Sequence, residues 1–348
     1  MKLSHLATSD VSWLHDKTLD HNCVISTRIR LARNLKGCPF PSSAAPEQLR
    51  EYIDKVFTAC KKSSFLKNAD IMILDELSEI DRRMLLERHI ISCEHAFSSS
   101  NAGVIIDNGE KLSIMVNEED VLRIQYISGG LNLFEAWDVI NSVDNELSEY
   151  LDFAYSDRWG YLTACPTNTG TGMRASCQMH LAGLGMINGL KRTMENVGRM
   201  GMVVRGLYGE GTKIMGNMLQ VSNQVTLGIS EARITDNLNR LVVQVAEREE
   251  KTRSDILEKN NDMLRDTVLR SHGILLNAYK ISFEEALDLI SNVRLGVYAG
   301  IIVLDIASLN DLMIKMQPAH IQEIKNIDMT ALERDKARAQ MIKDIIGK

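Results

Sequence analysis

The sequence predicts an α+β chain, strand-rich with interleaved helices up to about residue 230 and helical only after about residue 260. Three observations carry this. Asn108-Gly109, a favoured hairpin dipeptide, separates two apolar runs, Val104 to Asp107 and Lys111 to Val116. From Leu219 to Leu227 apolar and polar residues alternate, the period of a strand with one polar face. From Glu231 to about Lys259 the apolar spacing becomes three and four, a long charged helix, and only helical patterns follow. A domain change is expected near residues 250–260, giving a first domain over 1–254 and a second over 255–348.

Composition narrows the class. A chain of 348 residues holds one large or two ordinary domains, and 45% apolar content supports a real core. A net charge of -6 argues against a nucleic-acid binder, which usually carries a basic stripe. Six scattered cysteines without a CxxC pair argue against a disulfide framework or a zinc site and suit a reducing cytosol. The N-terminus lacks the apolar core of a signal peptide, and no run of about 18 apolar residues exists. The expectation is a cytoplasmic protein that binds neither nucleic acid nor membrane.

Residues 22–33, NCVISTRIRLAR, read as a strand in which Arg28 and Arg30 share a face. Neighbouring guanidinium groups need anions between them. Their forks suit phosphate oxygens, at about 1.5–3 kcal/mol per charge-assisted bond. The bland alternative is an edge strand blunted by charge. Pro46 to Cys60 and Asp81 to Ile91 read as helices. His89 follows in a charged context, where a structural role is the plain alternative. Ser113 to Gln125, SIMVNEEDVLRIQ, places Asn117, Glu118, Glu119 and Asp120 between apolar runs, as at a hairpin. Three successive carboxylates suit a cationic ligand or a proton acceptor; a solvated acidic turn is the alternative. Arg123 lies on the following strand.

Residues 132–152 read as a helix. Tyr161 to Ala164 reads as a strand broken by Pro166, Gly170 and Gly172, with a helix from Met173 onward. In that loop Gly-rich backbone can approach a ligand closely. Arg174 stands at the loop–helix junction, which favours anions. Cys165 heads the loop, with an inert buried thiol as the alternative. Gly170-x-Gly172-x-x-Ala175 is a weak dinucleotide-type pattern, because the repeated βα alternation of that fold is missing. Gly206 to Lys213 places threonine before lysine, the reverse of a P-loop. A strand from Gly201 carries Arg205, and the Gly-rich loop after it carries Glu210. Ser282 with Glu285 and Thr330 with Glu333 read as capping boxes. Arg334 and Arg338, four apart on the last helix, share a face, most simply a solvated one.

Several of these blocks, in this order, resemble the guanidino (phosphagen) kinases and, within them, the bacterial protein arginine kinases. Ser26-x-Arg28-x-Arg30 is similar to the family's SxRxR nucleotide-phosphate motif. ERHIIS around His89 is similar to a nucleotide-contacting segment. NEED followed by LR resembles the acidic signature, and CPTNTGTGMRAS from Cys165 resembles the reactive-cysteine block. RGLYGEG and the QVSNQ strand resemble the protein arginine kinase branch, as does RDKARA from Arg334, which is similar to its phosphoarginine-reading motif. The resemblance covers nearly the whole chain.

What the resemblance implies is specific. The fold would be an antiparallel sheet flanked by helices, then a small all-α C-terminal domain for dimerisation and phosphoarginine binding. The activity would be transfer of the γ-phosphoryl group of ATP to arginine side chains of proteins, marking them for Clp-protease degradation in a stress response under allosteric control. Free-arginine and creatine kinases carry an extra N-terminal helical domain, and a phosphate motif near residue 26 leaves no room for one; this favours a protein substrate. Glu119, Asp120, Glu210 and Cys165 would be catalytic. ATP would be held by Ser26, Thr27, Arg28, Ile29, Arg30, His89, Arg123, Arg174, Ala175, Ser176, Cys177, Gln178, Arg205, Gly206, Leu207, Tyr208, Gly209 and Glu210. Phosphoarginine would be read by Arg334, Asp335, Arg338 and Ala339. Mg²⁺ would ride on the nucleotide without a protein ligand. Substrate proteins with exposed arginine, a zinc-binding activator protein, a Clp chaperone or protease and a second copy of the chain are the implied partners. One departure stands out: the family usually has histidine after NEED, and here it is Val121. Two other classes are kept in view, a catalytically weak phosphoarginine-binding adaptor and a dinucleotide oxidoreductase.

Overall fold

A computed structural model describes residues 6–16, 21–97, 100–206 and 214–347 of the chain. Its strands, in chain order, are β1 (Val24–Arg33), β2 (Asp70–Ile73), β3 (Gly103–Ile106), β4 (Leu112–Val116), β5 (Leu122–Gly129), β6 (Tyr155–Ser156), β7 (Gly160–Tyr161), β8 (Met173–His180), β9 (Met202–Arg205) and β10 (Met218–Asn223). Eight of them form one sheet in the order β2-β3-β4-β5-β1-β8-β10-β9, and β6 pairs with β7 alone. The pairs β2–β3, β3–β4, β4–β5 and β1–β5 are antiparallel. In the β1–β5 pair Arg28 faces Ile127, Arg30 faces Gln125 and Ala32 faces Arg123.

The chain forms two compact units. The first is chiefly Ser26–Cys177 with Ser222–Arg240; the second is Lys2–Ile25, Gln178–Val221 and Leu241–Lys348. In the first unit, α1 (Pro46–Lys62) starts with proline in its first turn, and the Gln48 side chain accepts from the Ala45 N–H. It buries Leu49, Tyr52, Ile53 and Val56, the spacing of one helical face. The next helix, α2 (Glu79–Glu87), opens on a Ser78–Asp81 capping box. It stops short of Ile91 because His89 takes a left-handed conformation (φ 61°) that a helix cannot hold. Next come the short α3 (Cys93–Phe97) and α4 (Leu133–Ser148), whose Leu133, Ala136, Ile140, Val143 and Leu147 are buried.

In the second unit, α5 (Ala182–Met186) and α6 (Leu190–Arg199) precede the long α7 (Glu231–Lys259), whose last turns belong there. Five helices follow: α8 (Asn261–Asn277), α9 (Phe283–Tyr298), α10 (Ile306–Lys315), α11 (Pro318–Lys325) and α12 (Ala331–Ile346). Their shared core includes Leu264, Val268, Leu287, Ile290, Leu312 and Ile342. The Ser282 and Thr330 caps form as the sequence predicts, each hydroxyl accepting from the N–H three residues on.

Three expectations fail locally. The segment from Met173 is a strand, β8, although Met, Arg, Ala and Gln all favour helix. It lies between β1 and β10, where pairing on both edges and burial of Met173, Ala175 and Cys177 outweigh propensity. The strand expected from Leu219 to Leu227 ends at Asn223, whose side chain turns back to donate to Met173 O and to Val225 O. Its polar residues are also buried rather than solvated: Gln220, Ser222 and Asn223 lie inside. Finally, the strand expected over Tyr161 to Ala164 is confined to Gly160–Tyr161.

Candidate active site

Strand alternation builds one wall of the site. Along β1, Ile29 and Leu31 are fully buried on one face, while Arg28 and Arg30 are half-buried on the other. Arg123 on β5 and Arg174 on β8 bring two more guanidinium groups from the flanking strands. Burial, then the charges of Arg123, Arg28 and Arg174, push the Arg30 guanidinium well below the ordinary arginine value. Its Nε–H is buried and meets no acceptor among the described residues. Cations this crowded in a drying environment call for a polyanion. His89 lies beside them. Burial first, then Arg28, lower its imidazole to about 3, so it is neutral near pH 7.

The same alternation sorts the other candidates. Ser26, Arg28, Arg30, Arg174, Ser176 and Gln178 share their strands' arginine-bearing faces. Thr27, Ile29, Ala175 and Cys177 occupy the opposite faces, in the core. There Thr27 donates to Gly130 O at 2.7 Å and lies 3.7 Å from the Cys177 sulfur. Burial pushes the Cys177 thiol up to about 12.

The β4–β5 hairpin supplies the acidic turn. Asn117 adopts φ 60°, its N–H donating to Val121 O, while its amide donates to Leu49 O and Asn101 O. The three acids that follow have three different surroundings. Glu118 takes Arg123 Nη1 at 2.5 and 2.7 Å on its two oxygens and also accepts from the Ser92 hydroxyl. Burial alone would raise its pKa, but Arg123 and Ser92 pull it down to about 2. Glu119 is exposed; residual burial and the charges of Asp120 and Glu118 raise its pKa, and it shares a hydrogen bond with Cys165. Asp120 is buried, with Oδ1 accepting from Asn34 Nδ2 at 2.6 Å and from the Ala164 N–H at 2.7 Å. Burial still leaves its pKa raised. Asn34 Oδ1 in turn accepts from the Val121 N–H at 2.9 Å. Val121 itself is fully buried, so the turn is held by backbone and by Asn34, without a polar side chain at 121.

The cysteine loop is tied down as firmly. Asn168 N–H donates to Cys165 O, and the Thr163 hydroxyl donates to the same carbonyl at 2.8 Å. The Thr226 hydroxyl bonds Thr167 O and Thr169 O, both at 2.8 Å. Gly170 (φ 116°) and Gly172 (φ 63°) are required by packing: a Cβ on Gly170 would lie 2.3 Å from Thr226 O, and one on Gly172 2.6 Å from Ala32 O. Behind the loop, Arg33 makes a buried pair with Asp144 (Nη2–Oδ2 2.7 Å) and lies 3.4 Å from the centre of the Tyr161 ring. Cys165 is half-buried and exposes its sulfur to Glu119 and, at 3.0 Å, to the Thr167 hydroxyl.

Comparison with known proteins decides the family. Residues 51–252 match the ATP:guanido phosphotransferase C-terminal catalytic domain, and residues 261–348 match the protein-arginine kinase McsB C-terminal domain. The protein-arginine kinase of Halothermothrix orenii is 43% identical over 345 residues, covering 99% of each chain. That of Clostridium acetobutylicum is 41% identical over 336 residues, covering 96% of this chain and 98% of its own. The chain belongs to the protein-arginine kinases, within the ATP:guanido phosphotransferases. It is an ATP-dependent guanidino phosphotransferase. Among solved structures, the duplicated taurocyamine kinase of Schistosoma mansoni superposes with a TM-score of 0.60 at 26% identity, over 77% of this chain and 39% of that one. A lombricine kinase does so with a TM-score of 0.60 at 24% identity, over 73% and 71%.

In this protein-arginine kinase the structure thus gathers Arg28, Arg30, Arg123, Arg174, His89, Glu119, Asp120 and Cys165 in one unit. Arg205 and Gly206, at the end of β9, belong to the other unit. Leu207, Tyr208, Gly209 and Glu210 lie outside the described residues. Near the C-terminus, Arg334 and Asp335 are half-buried, but Arg338 and Ala339 are buried. Arg338 donates to Met316 O, Ile281 O and Asp335, so its side chain turns into the helical core rather than sharing a solvated face with Arg334. Glu118 is the residue that sequence reasoning left out of the site; Arg123, five residues on and across the hairpin, was the signal for it. Among the described residues, one His/Asp group has metal-ligand spacing: Asp10, His15 and Asp311. The Lys315 ammonium already sits 2.6 Å from Asp10. No described helix is long and apolar enough to cross a membrane.

Proposed function

We propose that the chain transfers the γ-phosphoryl group of ATP to arginine side chains of other proteins. One observation carries the reading: Arg123 belongs to both halves of the site. It bears on Arg30 in the cationic wall and holds Glu118, the neighbour of Glu119, in the acidic turn. A phosphate chain on the wall and a guanidinium at the turn would therefore meet.

The wall fits the triphosphate. Phosphoryl transfer is mainly positioning and neutralisation of spreading charge, and Arg28, Arg30, Arg123 and Arg174 supply both. Glu118, the carboxylate facing them, is already committed to Arg123, so Mg²⁺ travels on the nucleotide. Neutral His89 suits the uncharged nucleoside end. The acceptor guanidinium is protonated, with a pKa above about 12, and is a poor nucleophile. Glu119 orients it through charge-assisted bonds. As the N–P bond forms and the bond from phosphorus to the ADP oxygen breaks, Glu119 takes the proton released from the attacking nitrogen. A raised pKa suits it to that task. Asp120 braces the turn, and the Cys165 sulfur polarises the acceptor. Glu210 is the second carboxylate in this proposal. The same reading makes the product a degradation mark for a Clp protease in a stress response, regulated through an activator protein and the helical domain, with dimerisation through exposed apolar residues such as Met263, Leu269 and Ile274.

The test is incubation of the protein with Mg-ATP and casein, with acid-labile phosphoarginine sought by mass spectrometry. Phosphoarginine that disappears with Glu119→Gln supports the reading. Its absence in the unmodified protein, with an activator present, overturns it.

A further inference from the structure

Beside the acidic turn opens a cleft of about 450 Å³. Ser42, Leu49, Glu94, Ser100, Glu118 and Glu119 are among the residues that line it, and none of its lining residues is a lysine or arginine. The three carboxylates are not equivalent. Glu118 is occupied by Arg123 and Ser92, and Glu119 is hydrogen-bonded with Cys165. Glu94 is exposed, in the first turn of α3, and makes no ion pair among the described residues. The helix that carries it is tied to the acidic turn. Ser92 joins α3 to the turn, its hydroxyl accepting from the His95 N–H at 3.0 Å and donating to Glu118.

We propose that Glu94 is a specificity-determining residue that binds a lysine or arginine neighbouring the target arginine on the substrate protein. The inference rests on the kinase reading above and deepens it. One guanidinium at Glu119 and Cys165 satisfies the reacting end of the cleft. It leaves Glu94 as a second, uncompensated negative charge at the same opening, able to reward a basic neighbour and to repel an acidic one. A free guanidino compound cannot use this subsite, because it has no adjacent residue. The preference depends on an exposed charge pair, so it is modest and screened by salt.

The experiment uses three synthetic peptides with one arginine each, flanked by lysine, alanine or glutamate. Phosphoarginine formation is followed as kcat/KM, and binding by fluorescence anisotropy without nucleotide. For the unmodified protein the lysine-flanked peptide is expected to exceed the alanine-flanked one by about threefold to fivefold at low salt, the size of an exposed ion pair. Glu94→Gln brings the two together, and Glu94→Lys inverts the order in favour of the glutamate-flanked peptide. Equal kcat/KM for all three peptides in the unmodified protein overturns the inference, as does a lysine preference that survives Glu94→Gln. Lysine-selective binding that Glu94→Gln abolishes, without phosphoarginine from any peptide, sustains the subsite and overturns the catalytic reading instead.

Discussion

The cationic wall and the acidic turn are both crowded with like charges, yet they are built on opposite terms. The wall places Arg28, Arg30, Arg123 and Arg174 on neighbouring strands and leaves Arg30 strained by burial and by its neighbours. Nothing in the described protein relieves it beyond Glu118. The turn instead separates its acids by giving each its own surroundings: an ion pair for Glu118, amide donors for Asp120, and solvent and a thiol for Glu119. The difference teaches which partner each region expects. A wall this crowded with cations, in which the buried Arg30 Nε–H meets no acceptor among the described residues, suits a polyanion that arrives ready-made. In the proposed reaction, a turn with one poised carboxylate is completed by a single cation that must also surrender a proton.

Four experiments probe this contrast. The largest effect is expected from Glu119→Gln, which keeps the shape of the turn and removes the proposed base; kcat for phosphoarginine should fall about 10²–10⁴-fold. A fall below tenfold would assign the proton to another group. Next is Arg30→Met. Losing one charge-assisted phosphate contact of about 1.5–3 kcal/mol should raise the KM for ATP about tenfold to a hundredfold. The melting temperature without nucleotide should hold or rise, because like-charge crowding is relieved. A lower melting temperature would mean that Arg30 is structural.

The third experiment concerns pH. Burial and the charges of Asp120 and Glu118 hold Glu119 above the ordinary value of 4.5, so the acid limb of the kcat profile should lie above that value. Asp120→Asn should move the limb down. A limb that stays put would exclude Glu119 as the titrating base. His89 makes its own contribution to stability, its imidazole being lowered to about 3 against 6.5 in the unfolded chain. The unfolded state binds the proton first, so this contribution is complete above about pH 6.5 and is lost progressively as pH falls toward 3. Urea unfolding of His89→Gln should show a shallower loss over that window. The smallest effect is expected from Val121→His. Position 121 is fully buried, so an imidazole there lacks a partner and should cost about 1–3 kcal/mol of stability while changing the rate only modestly. Restoration of a previously absent activity would mean that the turn needs that side chain.

Much of this was legible in the sequence, and the losses have physical causes. The hairpin at Asn108-Gly109, the long helix Glu231–Lys259 and the Thr330–Glu333 capping box follow local rules and form where those rules put them, while at Ser282 only the hydroxyl half of the expected box forms, accepting from the Glu285 N–H. The β8 segment did not, because its neighbours across the sheet overrode helix-favouring side chains. The polar residues of β10 misled for a related reason: alternation implied water on one face, whereas Gln220 and Ser222 are covered there. In the site, spacing showed that Arg28 and Arg30 share a face, but it could not show that Arg123 and Arg174 join them from other strands. Nor could it divide the labour among Glu118, Glu119 and Asp120. Their roles come from Ser92, Asn34 and Ala164, each distant in sequence.

Asn34 carries a consequence of another kind. Its amide donates to Asp120 and accepts from Val121, while the same Asp120 oxygen receives the Ala164 N–H, next to Cys165. The spacing between the carboxylate and the sulfur is therefore gauged by a two-bond jig rather than by the tolerance of two independent loops. Thermal motion that displaces one displaces both, so their alignment should outlast the loosening of the surrounding surface.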